Sequence, residues 1–425
     1  MNKIWFLLYN VIIIPLLFLF FRIASIVNSK IKRGLEGRKN WYLELKVKLE
    51  QLDKSKETIW FHSSSMGEFE QAKPIIEKIK KENRYKVIVS FYSPSGYENS
   101  LKYPYPNIIT YMPFDSPGNV KKYLKLVQPN LAVFMRYDIW PNFIWRLEKQ
   151  DVPCFIVDAT MRKDSKRKWL IIKSLHKSIY RSITKILTVT QDDYDNFLLF
   201  EINKENLEVV GDTRFDRVYQ KSLEAKEKKI FTQDFFKNKK VFVFGSSWEA
   251  DESVIFPAFE KLAKYDENII MIIAPHEPTL FHIEKIENEF ANKLKTIRFS
   301  FISNYSNERI IIIDSIGILL TLYYYADVAY VGGSFKQGIH NVLEPAVYGI
   351  PVLFGPKIQN SQEAQYLEEI GGGIIVRNKK DAYRTLRQLF WDEEFRKELG
   401  NISLNYVNSN IGATNKIVDE INKFL

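Results

Sequence analysis

The segment TIWFHSSSMGEFEQAKPIIEKIKK, residues 58–81, contains the unit from which the chain is built. Its apolar start, residues 58–61, is typical of a buried strand, and residues 69–81 space their apolar side chains as an amphipathic helix does. Three serines, a methionine, Gly67 and Glu68 lie between them. A strand followed by a polar loop and a helix of this length predicts one step of a parallel α/β sheet.

The same unit recurs along the chain in two series. The first series has strand-like runs at residues 58–61, 86–91, 131–135, 154–158 and 185–189, with helical patterns at 69–81, 120–127 and 140–149. The second has strand-like runs at residues 241–244, 269–274, 309–313, 328–331 and 352–354. The charged stretch 221–240 separates them. We therefore predict two doubly wound domains, whose ligands bind at the carboxyl ends of the strands.

The N-terminal segment predicts a membrane anchor. Residues 4–21, IWFLLYNVIIIPLLFLFF, carry no charge and approach the roughly 20 apolar residues that a bilayer span needs. A signal peptide is the competing interpretation, but its apolar core is usually shorter, and no small-residue cleavage site follows. One cation precedes the segment and several follow it, so the positive-inside rule predicts a cytoplasmic body. These cations are Lys3 before it and Lys30, Lys32, Arg33, Arg38 and Lys39 after it.

Composition excludes several classes of protein. The chain has 425 residues, too many for one ordinary core, and its 46% of hydrophobic residues describe a globular protein. The single cysteine, Cys154, rules out an intramolecular disulfide and a cysteine-built metal site, and the five histidines form no metal-ligand pattern. The net charge of +10 predicts acidic partners. Because aromatic residues do not interleave with the basic runs, nucleic acid explains this charge poorly.

Glu68 has two explanations at this stage. It directly follows a glycine at the expected start of a helix, where a carboxylate stabilises the helix dipole by about 0.3–1 kcal/mol. It is also expected at the carboxyl end of a strand, where a carboxylate can act as a general base.

A second polar loop lies in VGGSFKQGIHNVLEPAVYGIPVLFGP, residues 331–356. Gly332 and Gly333 let the backbone turn closely after a strand, and we expect a helix to begin near Val342. Backbone N–H groups at a helix start bind phosphate, and Glu344 could accept hydrogen bonds from two ribose hydroxyls. The plainer alternative is a glycine turn followed by an acid that serves only the helix dipole.

Four ordered motifs resemble the 3-deoxy-D-manno-octulosonic acid (Kdo) transferases, which build the inner core of lipopolysaccharide. The motifs are HSSSMGE at 62–68, WPN at 140–142, GDTRFD at 211–216, and GGS followed by HNVLEPAVYGIPVLFGP within 332–356. The anchor followed by KRGLEGR at 32–38 is also similar. The resemblance thus runs from the anchor to near the C-terminus.

The resemblance implies the glycosyltransferase architecture called GT-B, an α/β fold with two Rossmann-like doubly wound domains, an interdomain cleft and an N-terminal transmembrane helix. It implies an anchor at 1–27, an acceptor-binding domain at 28–220 and a CMP-Kdo-binding domain at 221–425. The implied reaction is inverting transfer of Kdo from CMP-Kdo to a lipid A precursor, lipid IVA, at the cytoplasmic face of the inner membrane. No metal or other cofactor is expected, because helix N-termini and cations can carry the phosphate charge.

The resemblance also implies roles for individual residues. Glu68 would be the general base. The acceptor side would comprise Ser65, Gly67, Asp138 and Arg162. The donor side would comprise Arg214, Ser246, Ser247, His276, Gly333, Ser334, Asn341, Glu344 and Asn360.

Most of these residues also have ordinary structural explanations. Ser246 and Ser247 precede a helix whose first turn is acidic, as at any N-cap. His276 is more simply a loop residue, and the basic run 162–168, which contains Arg162, is by default a solvated face. Such a run near the site would nevertheless attract a phosphorylated glycolipid.

The chain departs from the family pattern at two positions. Arg136 stands where many relatives carry an acid, which predicts altered electrostatics in the cleft, while Asp138 keeps a negative group two residues later. Trp248 and Ala250 stand where many relatives carry histidine and glycine.

Two other functions stay open. One is another nucleotide-sugar enzyme of two domains, such as a UDP-sugar transferase or an epimerase. The other is a catalytically inactive membrane scaffold, against which the intact Gly67-Glu68 pair and the HNVLEP segment argue.

Overall fold

A computed structural model describes residues 3–232 and 234–425. The chain divides into two compact units, and the first is formed by Met1–Arg217 together with Ile411–Leu425. The second unit is Val218–Asn410. The chain therefore leaves the first unit, builds the second, and returns.

The first unit begins with helices. They are α1 (Lys3–Leu8), a π-helical turn (Tyr9–Ile13), α2 (Ile14–Val27), α3 (Ser29–Gly37) and α4 (Trp41–Glu50). The first three run on as one helix of 25 residues, long and apolar enough to cross a membrane. By these two properties it matches the predicted anchor.

A seven-stranded parallel sheet forms the centre of the first unit. Its strands are β1 (Glu57–Ser63), β2 (Tyr85–Phe91), β3 (Ile108–Tyr111), β4 (Leu131–Met135), β5 (Cys154–Ala159), β6 (Lys185–Thr188) and β7 (Leu207–Val209). Their order is β3-β2-β1-β4-β5-β6-β7, so the winding direction reverses between β1 and β4. Ligand sites of open α/β sheets lie at such a reversal, at the carboxyl ends of the strands.

Helices cover both faces of this sheet. They are α5 (Met66–Lys81), α6 (Pro94–Ser100), α7 (Pro117–Val127), α8 (Pro141–Lys149), α9 (Leu170–Tyr180) and α10 (Gln191–Leu198), with 3₁₀ turns at Lys166–Lys168 and Lys204–Asn206. The next helix, α11 (Thr213–Glu227), continues into the second unit. The strands between these helices are apolar almost throughout, as expected of a sheet covered on both sides.

The second unit repeats this plan. Its strands are β8 (Lys240–Ser247), β9 (Ile269–Pro275), β10 (Thr296–Arg298), β11 (Ile310–Ile312), β12 (Val328–Val331), β13 (Val352–Phe354) and β14 (Gly373–Ile375), in the order β10-β11-β9-β8-β12-β13-β14. Its helices are α12 (Glu249–Ala263), α13 (Leu280–Phe290), α14 (Leu319–Tyr323), α15 (Leu343–Ala346), α16 (Gln362–Glu369), α17 (Lys379–Trp391) and α18 (Glu393–Ser409), with a 3₁₀ segment at Phe299–Asn304. Two doubly wound parallel sheets confirm the predicted fold class.

The domain boundary differs from the predicted 220/221 division mainly at the C-terminus. The last helix, α19 (Ala413–Asn422), packs against α5 of the first unit rather than extending the second unit to residue 425. Ile417, Val418 and Ile421 are buried in the core of the first unit. An amphipathic helix shows in the sequence that it packs on something, but not on which sheet.

Candidate functional site

Glu68 and Ser65 form a capping box at the start of α5. The Ser65 backbone N–H donates to Glu68 Oε2 at 3.0 Å, and the Ser65 hydroxyl donates to the same oxygen. Glu68 is therefore the third residue of the helix, and its side chain turns back over the helix start. The ordinary structural role considered for this residue is present in the molecule.

The cap occupies only one oxygen of the Glu68 carboxylate. Among the described residues, no group donates a hydrogen bond to Oε1. Gly67 is exposed, and a Cβ there would meet only Ser65 Oγ within 4 Å, at 3.6 Å. The first unit thus leaves space beside a half-buried carboxylate at the carboxyl end of β1.

His62 fixes Asp138 at the same edge of the sheet. The His62 ring is fully buried, with Nδ1 at 2.8 Å from Ser90 Oγ and Nε2 at 2.9 Å from Asp138 Oδ2. Because a carboxylate only accepts, Nε2 carries the proton and donates. Trp140 Nε1 also donates to Asp138, at 3.2 Å. Asp138, predicted for the acceptor, is thus held in one orientation by two donors.

Arg136 lies at the carboxyl end of β4 in a left-handed conformation, with φ of +61°. This conformation is costly for a side chain as large as arginine. The Nε atom is buried and has no hydrogen-bond partner among the described residues. The guanidinium lies close enough to Asp212 to help lower the pKa of that carboxyl. A cation with an unused buried donor therefore lies at the carboxyl end of β4.

Arg214 is paired within the first unit. Its guanidinium donates to Asp212 Oδ2 from Nε at 2.9 Å and from a terminal nitrogen at 2.6 Å. Burial works against ionisation of Asp212, but Arg214 holds the pKa of this carboxyl below its usual value. The residue predicted to face the donor thus already has a carboxylate partner.

Asp158 lies beside this pair at the end of β5. Its carboxyl accepts from the Thr213 backbone N–H at 3.2 Å and from the Thr213 hydroxyl. Burial, followed by the charge of Asp212, raises the pKa of Asp158 to about 8. The cluster holds the GDTRFD segment against the sheet.

The basic run 162–168 contains one residue directed at the site and several directed elsewhere. Arg162 is exposed, with no side-chain partner among the described residues, so nothing in the structure gives it a particular role. Arg167 donates to the Tyr137 carbonyl at 3.0 Å, which puts its charge beside the segment 136–142. Arg167 is therefore better situated than Arg162 to meet an anionic ligand.

A pocket of about 280 Å³ lies in the first unit between the N-terminal helix and α9. Its lining is formed by Tyr9, Leu17, Tyr137, Asp138, Ile139, Trp140, Pro141, Arg167, Leu175, His176 and Ile179. Apolar side chains dominate, with one carboxylate and one guanidinium among them. The WPN element therefore connects the N-terminal helix to the carboxyl ends of the strands.

In the second unit, Ser247 is used inside the protein. It is buried, and its hydroxyl donates to Glu252 Oε1 at 2.7 Å. His282 Nε2 lies 2.8 Å from the same oxygen, and this hydrogen bond raises the pKa of His282. Ser246 has a left-handed φ of +51° and is half-buried. Of the two predicted serines, only Ser246 has a side chain that this network does not use.

Three aromatic rings form a stacked cluster in the loops that follow β8, β9 and β12. Trp248 and His340 are nearly coplanar, at 6°, and the indole N–H donates to His340 Nε2 over 3.1 Å. His276 stacks on both rings, with centroids 4.8 Å from Trp248 and 4.4 Å from His340. Burial, then His276, lowers the pKa of His340. Because the indole N–H can only donate, His340 Nε2 accepts, and the proton of the neutral ring is on Nδ1.

The glycine loop after β12 is held by its own residues. Gly333 and Gly338 have φ of +95° and +105°, and a Cβ on Gly333 would lie 2.3 Å from the Gly338 carbonyl oxygen. Ser334 is buried and accepts from the Gly355 N–H. Asn360 bonds both backbone groups of Ile339, at 3.1 and 3.0 Å. Ser334 and Asn360 therefore shape the loop, although both were predicted to hold the donor.

The helix predicted near Val342 is α15, which has only four residues. Asn341 precedes it, accepts from the Leu343 N–H at 3.1 Å, and donates to Glu344 at 3.2 Å. A helix this short adds little dipole, so the predicted phosphate site at its start lacks the expected basis. Asn341 is exposed and Glu344 half-buried, so both remain accessible to a ligand.

No group of three or more metal-ligating side chains occurs among the described residues. The expectation of a metal-independent reaction stays a prediction.

Sequence reasoning missed the roles of four residues: His62, Trp248, His340 and Arg167. His62 was recognised as part of a motif, but its bond to Asp138 joins neighbours 76 positions apart. Trp248 and His340 are 92 positions apart, and Arg167 was not separated from the other cations of its run. Only the preference of buried histidine for a polar partner could have pointed to His62.

Comparison with known protein families gives one match within the first unit. A family model described as "3-Deoxy-D-manno-octulosonic-acid transferase (kdotransferase)" matches residues 39–217. The matched region contains β1 to β7 and the motifs at 62–68, 140–142 and 211–216.

Curated relatives extend this similarity to the second unit. A 3-deoxy-D-manno-octulosonic acid transferase of Haemophilus influenzae is 25% identical over 423 residues, covering 97% of this chain and 96% of the relative. A bifunctional glycosyltransferase/methyltransferase of Fusobacterium nucleatum is 27% identical over 385 residues. That alignment covers 86% of this chain and 59% of the relative's length.

Among solved structures, the UDP-GlcNAc 2-epimerase of Neisseria meningitidis superposes with a TM-score of 0.61 at 17% identity. The match covers 86% of this chain and 100% of the epimerase chain. At this identity the likeness concerns the fold alone.

Proposed function

We propose that the chain is a Kdo transferase, a glycosyltransferase that moves Kdo from CMP-Kdo to a hydroxyl of a lipid A precursor, lipid IVA; the family match and the curated relatives support this proposal. The single observation that carries the mechanism is the Glu68 carboxylate at the carboxyl end of β1, with Oε1 unused beside the exposed Gly67. The length and hydropathy of the helix Lys3–Val27 suit a membrane, and this supports a lipid acceptor.

In the proposed reaction, the acceptor oxygen attacks the anomeric carbon of Kdo while the bond from that carbon to the CMP phosphate breaks. CMP leaves with the bonding electron pair, and configuration inverts. Glu68 Oε1 takes the proton of the attacking hydroxyl, an effect worth roughly 10²–10⁴-fold. The bond from Ser65 to Oε2 keeps the carboxylate oriented while Oε1 acts.

The cations near β4 suit an anionic acceptor. Arg136 has an unused buried Nε, and Arg167 lies beside Tyr137 on the pocket that the N-terminal helix lines. Guanidinium groups recognise phosphate by charge-assisted hydrogen bonds. We propose that these two arginines, rather than Arg162 alone, meet the acceptor phosphates.

The second unit is proposed to bind CMP-Kdo. Its accessible candidates are Ser246, His276, Asn341 and Glu344, together with backbone groups of the glycine loop. The neutral His340 presents a donor at Nδ1, fixed by Trp248. Ser247, Ser334 and Asn360 support this surface from behind.

We further propose that the protein works at the cytoplasmic face of the inner membrane. The cations that follow the N-terminal helix support this placement, because the cytoplasmic leaflet carries anionic lipids that attract basic segments.

A pair of parallel reactions tests the proposal. Purified full-length protein in mixed micelles with lipid IVA receives CMP-Kdo in one reaction and a set of UDP-sugars in another, and mass spectrometry follows the glycolipid. We expect a mass increase of one or more Kdo units with CMP-Kdo only. Turnover of UDP-sugars alone would establish another nucleotide-sugar enzyme, and no turnover of either would favour the inactive scaffold.

A further inference from the structure

The N-terminal helix Lys3–Val27 is docked on the first unit from one end to the other. Near its start, Trp5 Nε1 donates to Ser174 Oγ at 3.1 Å. Towards its end, the Phe21 ring packs edge-on against Phe114, with centroids 6.4 Å apart. The helix therefore runs along the body of this unit rather than projecting away from it.

The middle of the helix is joined to the body by polar side chains. The buried Tyr9 hydroxyl donates to Asp115 Oδ2 at 2.9 Å, and Asn10 Nδ2 donates to Asn142 Oδ1 at 2.9 Å. The Asn142 N–H donates to the same Asp115 oxygen at 3.1 Å. Separating the helix from the body would break these hydrogen bonds and expose to water the apolar side chains packed around them, among them Phe6 and Ile14.

The opposite face of the helix is an exposed apolar stripe. Its members recur every three or four residues, which keeps them on one face. They are Ile4, Leu7, Leu8, Val11, Ile12, Leu16, Leu19, Phe20, Ile23, Ile26 and Val27. The stripe extends over the whole helix, so all of its length is available to one apolar environment.

A span across a bilayer does not fit the docked helix. At 25 residues the helix is about 38 Å long, and the hydrocarbon core is about 30 Å thick. If the docked helix stood upright, Asp115, Asn142 and the strand ends beside them would enter the hydrocarbon. Irregular backbone exposed to lipid is not tolerated there. A docked helix can bury its stripe only by lying in the plane of the interface.

A second apolar element adjoins this helix at the start of α9. Trp169, Leu170 and Ile171 are 61%, 88% and 75% exposed. Ser174 accepts the hydrogen bond from Trp5 and follows Leu170 by four residues and Ile171 by three. Leu170, Ile171 and Ser174 therefore share one face of α9. The exposed apolar residues of α9 are thus on the same side of α9 as Ser174, which binds the start of the N-terminal helix.

Cations flank this second element. The 3₁₀ turn Lys166–Lys168 directly precedes Trp169, and Lys166 Nζ lies 5.7 Å from the centre of the Trp169 ring. Cations beside an exposed tryptophan and apolar residues suit the boundary between anionic headgroups and acyl chains.

We propose that the first unit binds anionic bilayers monotopically, with the N-terminal helix in the plane of the interface and Trp169–Ile171 as a second inserted element. The wedge formed by these residues dips into one leaflet, and the chain does not cross the membrane. This inference rests on the proposed membrane association but not on the identity of donor or acceptor.

The depth of the helix tests its orientation. Single cysteines replace Leu7, Leu16 and Ile26 in the full chain, whose native Cys154 is buried, and carry an environment-sensitive fluorophore. Vesicles of phosphatidylethanolamine and phosphatidylglycerol contain quenchers at shallow or deep acyl positions. We expect the same shallow depth at all three sites. A deep Leu16 site between two shallow ends would establish a span and overturn the proposal.

Sidedness gives an independent check. In inside-out membrane vesicles, Lys3→Cys is treated with a membrane-impermeant maleimide. An in-plane helix leaves this site on the same side as the body, so we expect labelling. Protection until detergent is added would place the N-terminus across the membrane and overturn the proposal.

The second element is tested by Leu170→Asp. An acid at the first position of a helix favours the helix, so folding is preserved. Loss of one inserted leucine, worth about 1.5–3 kcal/mol, predicts roughly ten- to hundredfold weaker partitioning to the same vesicles. Leu280→Asp is the matched control, since Leu280 is 62% exposed at the first position of α13 in the second unit. Equal partitioning of both variants would show that Trp169–Ile171 is not part of the membrane-binding surface.

These measurements need no substrate, so they separate the two proposals. A protein that binds vesicles as expected but transfers no Kdo would refute the proposed reaction alone. A protein that transfers Kdo but spans the membrane would refute the in-plane surface alone.

Discussion

The Ser65 backbone N–H donates to Glu68 Oε2 at 3.0 Å and leaves Oε1 without a donor among the described residues. The two explanations of Glu68 therefore concern different oxygens of one carboxylate. The capping oxygen fixes the side chain, and the other oxygen is available for a proton.

Replacing Glu68 by glutamine separates these roles. The amide oxygen can still accept from Ser65, so the cap persists, but the basic carboxylate is lost. We expect kcat to fall by roughly 10²–10⁴-fold with the Kd for CMP-Kdo unchanged, measured by product formation and by calorimetry.

Asp193→Asn is the control for this substitution. Asp193 closes a capping box with Thr190 at the start of α10, with side-chain bonds of the same kind. Unchanged kcat in this variant shows that altering a cap is harmless. Near-normal kcat in Glu68→Gln would show that Glu68 acts only as a helix cap and not as the general base.

Arg136→Gln tests the cation at the carboxyl end of β4. Loss of one charge-assisted contact costs about 1.5–3 kcal/mol, so the KM for a phosphorylated acceptor should rise by roughly ten- to hundredfold. The control is Arg146→Gln, because Arg146 also has a buried Nε without a partner among the described residues. An equal rise in KM for an acceptor lacking phosphate would argue against charge recognition.

Trp248→Phe tests the ring cluster. Phenylalanine retains a ring for His276 but cannot donate to His340 Nε2. Loss of one neutral hydrogen bond, about 1 kcal/mol, predicts roughly a fivefold rise in the KM for CMP-Kdo. Trp391→Phe, at the end of α17 with a 49% exposed ring, should leave this KM unchanged.

The same cluster predicts a dependence on pH. Because the folded pKa of His340 is lowered from 6.5, its contribution to stability is fully present above that value and is lost as pH falls through the lower, folded value. We expect donor affinity to fall in the same direction, since protonated Nε2 cannot accept from Trp248. NMR titration of the imidazole nitrogens measures this, and titration at the ordinary pKa would contradict it.

Ile417→Ala tests the return of the chain to the first unit. Ile417 is fully buried, and truncation of such a side chain costs about 2–5 kcal/mol. Hydrogen exchange should accelerate in the strands of the first unit but not in β8 to β14. Leu386→Ala in α17, also fully buried, should do the opposite.

The sequence was sufficient to predict the sheets because buried parallel strands are continuous apolar runs. Ten strands were predicted this way, and four of these, β6, β11, β12 and β13, have only three or four residues. β3, β7, β10 and β14 are equally short, give little periodic signal, and were not predicted. The return of α19 was not predictable, since the apolar face of Ile417 and Val418 fits either sheet.

The candidate site was predictable in position but less so in role. Motif spacing located the loops that follow β1, β8, β9 and β12. It could not show that Ser247, Ser334 and Asn360 form hydrogen bonds within the protein, because these partners depend on the directions of the side chains in the folded structure. Likewise, the partners of His62 and Trp248 come from distant segments.

The last helix also determines when the first unit can finish folding. Ile417, Val418 and Ile421 complete a core cluster that contains residues of β1 and β2. During synthesis the second unit precedes α19, so it can fold before Ile417, Val418 and Ile421 are made. Until then the core of the first unit stays uncovered on one face, and α19 closes it.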